Sequence, residues 1–283
     1  MSIQLIQDNG VGPGIPAACA AQGTVENSLA ALGANGILGI GVFLQDCGGF
    51  CVANSSPLYY ACAGSGCAQS PIPLAAQVSN PAAFFAQDNN GVVLQLPAVP
   101  LNGAAAATGN LIFGIGTQAN NSMSGIPITV PASGPTAGAF TAIYKTVTLA
   151  ESFIDSGSSQ FFFDDSSIPI CPASSPVGDL TSFYCPGSPT ALSLLPLNLT
   201  LVGSNGASVA VAPNLANAQF LFSQPGAAAL NVFNDLGGPA AGMLPNAFDL
   251  GVPFFLGMSV FTAFEQSMTP AGSGPYFAFQ PAP

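Results

Sequence analysis

Short apolar or alternating runs recur along the chain and are separated by Gly, Pro, Asn and Ser. Runs of this kind, bounded by turn-forming residues, are typical of β-strands. They predict strands at residues 3–6, 92–96, 111–115, 126–130, 140–149, 153–154, 161–163, 192–201, 208–211, 218–222 and 254–264. Two short helices are expected near residues 73–78 and 227–234. The 33 glycines and 26 prolines leave no room for long helices, so the pattern predicts an all-β fold.

The charge composition excludes several classes of function. The 283 residues include a single basic residue, Lys145, against twelve acids, and there is no histidine. One cation cannot neutralise a phosphate backbone, so we expect no nucleic-acid partner. Without histidine, Ser-His-Asp catalysis and histidine-ligated zinc are also excluded. We expect no metal and no other cofactor, which leaves chemistry based on carboxylates, hydroxyls, thiols or the backbone.

The seven cysteines predict three disulfides. Cys47 and Cys51, Cys62 and Cys67, and Cys171 and Cys185 each flank a short stretch rich in Gly, Ser or Pro, and Cys19 is left unpaired. The spacing does not provide the paired C-x-x-C ligands of a zinc site. Disulfides indicate an oxidising location, which is the periplasm, the cell surface or the exterior. Because residues 1–8 lack the features of a signal peptide, we expect a chain that is processed or that begins part-way through a longer protein.

One uncharged stretch, residues 28–45, has the length of a membrane helix. Its four glycines and Asn35 would each weaken such a helix, and no basic residue flanks it. We therefore expect no membrane span.

The segment Phe153-Ile154-Asp155-Ser156-Gly157-Ser158-Ser159 is the best candidate for chemistry. An apolar strand would deliver Asp155 to a tight turn, where Gly157 allows close approach of the backbone. The hydroxyls of Ser156 and Ser158 can hydrogen-bond the turn and the carboxylate. Asp-Ser-Gly is also common in ordinary β-turns, so this motif alone does not assign a function.

Three segments together resemble the pepsin-like aspartic peptidases. In that family each of two lobes carries an apolar-apolar-D-[ST]-G-[ST] loop, and a later apolar-apolar-Gly segment passes beside the loop and buttresses it. Asp155-Ser156-Gly157-Ser158 is similar to the second-lobe loop, Phe255-Leu256-Gly257 to its buttress, and Ile37-Leu38-Gly39 to the first-lobe buttress. The strings ALGANGILGIGVFLQDCG, FIDSGSS and VPFFLG resemble more closely an uncharacterised family of bacterial secreted or lipid-anchored proteins with this architecture.

The resemblance implies a pepsin-like bilobal β-barrel with an incomplete first lobe. Residues 1–125 would be the remainder of the first lobe, residues 126–265 the second lobe, and residues 266–283 a C-terminal tail. The first-lobe D-[ST]-G motif is absent. The nearest candidate, Asp8-Asn9-Gly10, lacks the hydroxyl and leaves no room for a flap.

The missing motif determines the expected function. The peptidases of this family need two carboxyl groups that share a proton, so we expect an aspartic-peptidase-like chain that is inactive by itself. Its expected partner is a peptide or an upstream first-lobe segment. Two alternatives stay open, namely a non-enzymatic binding or structural protein of the envelope on the same fold, and an unrelated β-sandwich.

Overall fold

The computed structural model describes residues 2–6, 14–63 and 66–283, so the candidate Asp8-Asn9-Gly10 lies outside the described residues. The chain divides into two compact units, Met1–Asn89 and Asn90–Pro283. The structure is predominantly β with a few short helices, which confirms the all-β prediction. Among the described residues, no helix is long and apolar enough to cross a membrane.

The first unit consists of short helices and one hairpin. Its elements are α1 (Ala17–Ala20), α2 (Leu29–Leu32), α3 (Gly48–Ala53), β1 (Tyr60–Ala63), β2 (Gly66–Gln69) and the 3₁₀ helices Leu74–Ala76 and Pro81–Phe84. Ser28 begins α2 by accepting a hydrogen bond from the Ala31 N–H, and Gly33 ends it with a φ of 67°. The predicted strand at residues 3–6 is wrong, since residues 2–5 are irregular and residue 6 lies in a turn.

The second unit holds most of the strands. Its elements are β3 (Gly91–Gln95), β4 (Asn110–Phe113), β5 (Ile128–Thr129), β6 (Phe140–Tyr144), β7 (Val147–Ile154), β8 (Phe161–Phe162), β9 (Leu194–Pro196), β10 (Leu199–Val202), β11 (Ser208–Val211), β12 (Asn214–Ala216), α4 (Ala218–Phe222), β13 (Gly237–Gly238), β14 (Asp249–Leu250), β15 (Met258–Ala263), β16 (Met268–Thr269), β17 (Gly272–Ser273), β18 (Tyr276–Pro281) and the 3₁₀ helices Ala119–Asn121, Ala227–Ala229 and Val252–Phe255.

Two sheets organise this unit. A five-stranded sheet has the order β4-β3-β15-β18-β5, and a seven-stranded sheet has the order β11-β10-β6-β7-β14-β8-β13. The rings of Phe140 in β6 and Phe277 in β18 meet edge to face, 6.2 Å apart, and so join the two sheets. Within the described part of the chain, neither sheet closes into a barrel.

The C-terminal residues 266–283 are part of the fold rather than a loose tail. Strand β18 pairs antiparallel with β15 along its whole length, and Tyr276, Phe277 and Ala278 are buried. A run of apolar and aromatic residues of this kind is itself a strand signal. The lobe boundaries expected at residues 125 and 265 stay a prediction.

Residues 218–222, predicted as a strand, form helix α4 instead. The Asn217 side chain accepts a hydrogen bond from the Phe220 N–H at 3.0 Å and so caps the helix. Ala218 and Leu221 turn inward into a cluster with Phe233 and Leu236. The cap at Asn217 and the helical spacing of Ala218 and Leu221 therefore favour a helix here, although the apolar run alone predicts a strand.

An aromatic cluster forms the core beside the seven-stranded sheet. Phe163 stacks on Phe248 with ring centroids 4.4 Å apart, and Tyr144 meets both rings edge to face. The Tyr184 hydroxyl donates to the Phe163 carbonyl oxygen at 2.7 Å, so this ring is buried without losing its hydrogen bond. Phe248 directly precedes β14, so this core is connected to a strand of the candidate site.

Candidate functional site

The Asp155 loop begins where strand β7 ends. Ile154 is buried, and the next backbone N–H, that of Asp155, donates to the Leu250 carbonyl oxygen at 3.1 Å. The Asp155 carboxylate accepts the Gly157 N–H at 2.7 Å through Oδ1, and its Oδ2 lies 3.2 Å from Ser158 Oγ. Asp155 is half-buried, whereas Ser156 and Gly157 are exposed. The loop therefore presents a carboxylate whose orientation is fixed by its own turn.

The strand that passes beside this loop is β14. Asp249 and Leu250 pair in parallel with Phe153 and Ile154, at the end of β7. Beyond β14 the backbone closes on the loop, because the Val252 N–H donates to the Ser158 carbonyl oxygen at 2.7 Å.

Gly251 permits this close approach. A Cβ atom at that position would overlap the Gln160 carbonyl oxygen and would lie 2.7 Å from the Ser158 carbonyl oxygen. The segment that packs against the loop is therefore Asp249-Leu250-Gly251.

Phe255-Leu256-Gly257, the segment expected as the buttress, makes its described backbone contacts elsewhere. Leu256 forms an isolated parallel bridge with Leu96, and the Gly257 N–H donates to the Leu96 carbonyl oxygen at 3.1 Å. The backbone of this segment thus lies beside the five-stranded sheet, and its role as the buttress stays a prediction. The apolar-apolar-Gly pattern selects this segment because Asp249 interrupts that pattern six residues earlier.

The expected first-lobe buttress, Ile37-Leu38-Gly39, lies in an irregular part of the first unit. Ile37 is 76% exposed and Leu38 is 64% exposed. A Cβ atom built on Gly39 would meet no atom within 4 Å among the described residues. These residues do not show the packing that a buttress requires.

A second carboxyl group, which the sequence analysis missed, lies next to the loop. Asp249 Oδ2 is 2.5 Å from Ser158 Oγ, so the Ser158 hydroxyl stands between Asp249 and Asp155. Asp249 is only 2% exposed, and its Oδ1 has no hydrogen-bond partner among the described residues. Burial raises the pKa of Asp249 to about 7; the Ser158 hydrogen bond opposes this and the charge of Asp155 adds to it. The available signal was an acid between the apolar residues Phe248 and Leu250.

A cavity of about 450 Å³ adjoins the loop. Ser159 and Gln160, which follow the loop in the chain, form part of its wall together with Val252. The remaining wall is mainly apolar and includes Phe183, Phe222, Leu230, Phe233 and Leu236. An apolar cavity therefore adjoins Ser159, which follows Asp155 by four positions in the chain.

A comparison with protein families matches residues 1–279 to a family described as "Protein of unknown function (DUF3443)". The chain belongs to the DUF3443 family. Among curated proteins, none matches it. The membership confirms the expectation of an uncharacterised domain that spans the chain, and the family description assigns no activity to the Asp155 loop.

The cysteine pairs of this DUF3443 chain stand as the sequence predicts. Cys47–Cys51, Cys62–Cys67 and Cys171–Cys185 are at disulfide distance, with Cα atoms 5.6, 4.1 and 4.9 Å apart. Cys19 is free and exposed. Three disulfides suggest an oxidising, extracytoplasmic environment. In the described ranges, no group of three or more His, Cys, Asp or Glu side chains could hold a metal ion.

Proposed function

We propose that this chain is an aspartic-peptidase-like protein of the cell envelope or the extracellular space, and that its Asp155 loop is one half of a two-carboxylate site. The observation that carries the proposal is the parallel strand β14, which passes beside the Asp155–Ser158 loop and closes on it at Gly251. This is the arrangement of loop and buttress that the resemblance to pepsin-like peptidases implies. The disulfides support the location.

The chemistry explains why the isolated chain would be inactive. Activation of water in such a site needs two accessible carboxyl groups, one ionised as base and one protonated as acid. Asp249 shares the Ser158 hydroxyl with Asp155, and at 2% exposure it cannot touch a substrate. The second accessible carboxylate would come from another segment or a partner that carries a D-[ST]-G loop.

The cavity beside the loop supports a peptide as the substrate class. Its apolar wall could receive an apolar side chain of a peptide, and the lining residue Ser159 follows the half-buried Asp155 by four positions in the chain. The chain has a net charge of −11 and one basic residue, which argues against an acidic substrate.

The first experiment is a peptide-cleavage assay at pH 3–6 on the chain as it stands, beside Asp155→Asn. We expect no cleavage by either protein and no tight binding of a statine-type transition-state mimic. Acid-dependent cleavage that disappears in Asp155→Asn would overturn the inactivity of the isolated chain.

The burial of Asp249, the acid linked to Asp155 through Ser158, favours one alternative, a non-enzymatic peptide-binding protein. Calorimetric titration with apolar peptides separates the two functions. If a form that also carries a D-[ST]-G loop binds such peptides and does not cut them, the binding function replaces the enzymatic one.

A further inference from the structure

We propose that Asp249 is a positioning residue that holds a proton and, through the Ser158 hydroxyl, fixes the carboxylate of Asp155. The inference deepens the proposed function and rests on it, because it concerns the same loop. Its basis is one hydroxyl group placed between two carboxyl groups. Ser158 Oγ lies 3.2 Å from Asp155 Oδ2 and 2.5 Å from Asp249 Oδ2.

The first step is to count protons. A serine hydroxyl carries one hydrogen and can donate to one acceptor at a time. If both carboxyl groups were ionised, one of the two short oxygen–oxygen contacts would contain no hydrogen and would be repulsive. A proton on either carboxyl group removes the conflict, since that group then donates to Ser158 Oγ while Ser158 donates to the other.

The second step is to decide which group carries the proton. Asp155 Oδ1 accepts the Gly157 N–H at 2.7 Å, and a hydrogen bond of this kind favours the ionised form. In the part of the chain that the structure describes, no donor reaches Asp249 Oδ1, and Asp249 is only 2% exposed, which disfavours its charge. The proton therefore resides on Asp249 Oδ2, Asp249 donates to Ser158 Oγ, and Ser158 donates to Asp155 Oδ2.

Few other charges act on this chain of hydrogen bonds. The loop after strand β7 contributes Asp155, whose charge acts on Asp249. Glu151, on the same strand, is exposed. Strand β8, on the other side of β14, consists of Phe161 and Phe162. The pKa of Asp249 should therefore depend mainly on its burial, on the Ser158 hydroxyl and on the charge of Asp155.

The test is to follow the carboxyl carbons of ¹³C-labelled aspartate by NMR between pH 3 and 10, on the whole oxidised chain. Because the chain has only nine aspartates, Asp249 can be assigned by the loss of its signal in Asp249→Asn. We expect its midpoint near neutral pH. Asp155→Asn should lower that midpoint by about one pH unit, since the variant removes the charge that raises the pKa of Asp249. Ser158→Ala should raise it, because the hydrogen bond that Ser158 can donate to ionised Asp249 is stronger than the one that protonated Asp249 donates to Ser158, and both are lost.

A matched control is Asp235→Asn, which alters another buried acid and should leave the Asp249 midpoint unchanged. An Asp249 midpoint that moves in neither Asp155→Asn nor Ser158→Ala, in variants whose circular dichroism matches the parent, would overturn the inference. A midpoint near pH 4 in the parent chain would overturn it as well. This NMR measurement needs no enzymatic activity. If Asp249 titrates as expected but a form of the protein that also carries a D-[ST]-G loop fails to cut peptides, the proposed function is refuted and the inference about Asp249 stands.

Discussion

Asp235 is a buried acid for which the described structure offers no hydrogen-bond partner to either carboxyl oxygen. It is 1% exposed and lies between the buried residues Phe233 and Leu236 in the chain. Only its backbone is anchored, since its carbonyl oxygen accepts the Ala216 N–H at 2.8 Å. Burial raises the pKa of Asp235 from 3.8 to about 7, and its own backbone N–H opposes this only in part. We expect this side chain to make the stability of the protein depend on pH.

The sign and size of the effect follow from linkage. A raised pKa means that the folded state binds the proton more tightly than the unfolded state, so this contribution is complete below about pH 4 and is lost as the pH rises through 7. A difference of about three pH units corresponds to about 4 kcal/mol, which is an upper limit when water reaches the ionised group. Asp235→Asn keeps the shape and cannot ionise. At pH 8.5 it should therefore be more stable than the parent by about 2–4 kcal/mol, and at pH 4 the two should agree within about 1 kcal/mol.

Urea unfolding followed by circular dichroism at pH 4 and pH 8.5 measures the effect, and the chain has no tryptophan to follow instead. The matched control is Glu151→Gln, which removes an exposed acid of the same unit and should change stability little at either pH. Asp235→Asn should reduce the pH dependence without abolishing it, because Asp249 is raised to a similar pKa. Equal stabilities of parent and Asp235→Asn at pH 8.5 would refute the argument that burial keeps this acid protonated.

Three further predictions concern the packing around the sheets. Gly251→Ala should lower the free energy of unfolding by about 3 kcal/mol or more, because the Cβ atom of the alanine has no space there. Gly39→Ala, the matched control, should leave the free energy of unfolding almost unchanged when both variants are measured by thermal unfolding. Replacing both Cys171 and Cys185 by Ala should lower stability by about 3 kcal/mol through loop-closure entropy, and an unchanged urea midpoint would contradict this. Lys145→Gln should cost less than about 1 kcal/mol because this side chain is 54% exposed, and a larger loss in urea would show that its ion pair is better shielded than its exposure suggests.

The sequence was a good guide wherever local chemistry decides structure. The strand over residues 208–211 stands as predicted, and the three cysteine pairs follow from short spacings. The turn at Asp155 also follows from its residues, because an aspartate followed by Ser-Gly-Ser supplies its own hydrogen bonds. In these places a few neighbouring residues determine the local structure.

The sequence was a poor guide where the structure depends on contacts between residues that are distant along the chain. The apolar-apolar-Gly pattern points to Phe255-Leu256-Gly257, whereas the pairing with β7 brings Asp249-Leu250-Gly251 beside the loop. Whether Asp249 is buried depends on the strands on either side of it, which are distant along the chain. Residues 140–149 read as one strand and form two, because Lys145 takes a φ of 54° and reverses the chain between β6 and β7.

The most direct test of the central claim, that Asp155 belongs to a two-carboxylate peptidase site, is cleavage by a form of the protein that also carries a D-[ST]-G loop. Digestion of a denatured protein substrate at pH 4, followed by mass spectrometry, would compare this form with its Asp155→Asn variant and with the exposed-site control Asp179→Asn. The account predicts cleavage that falls by about 10³-fold or more in Asp155→Asn and persists in Asp179→Asn. Cleavage that survives Asp155→Asn would contradict it.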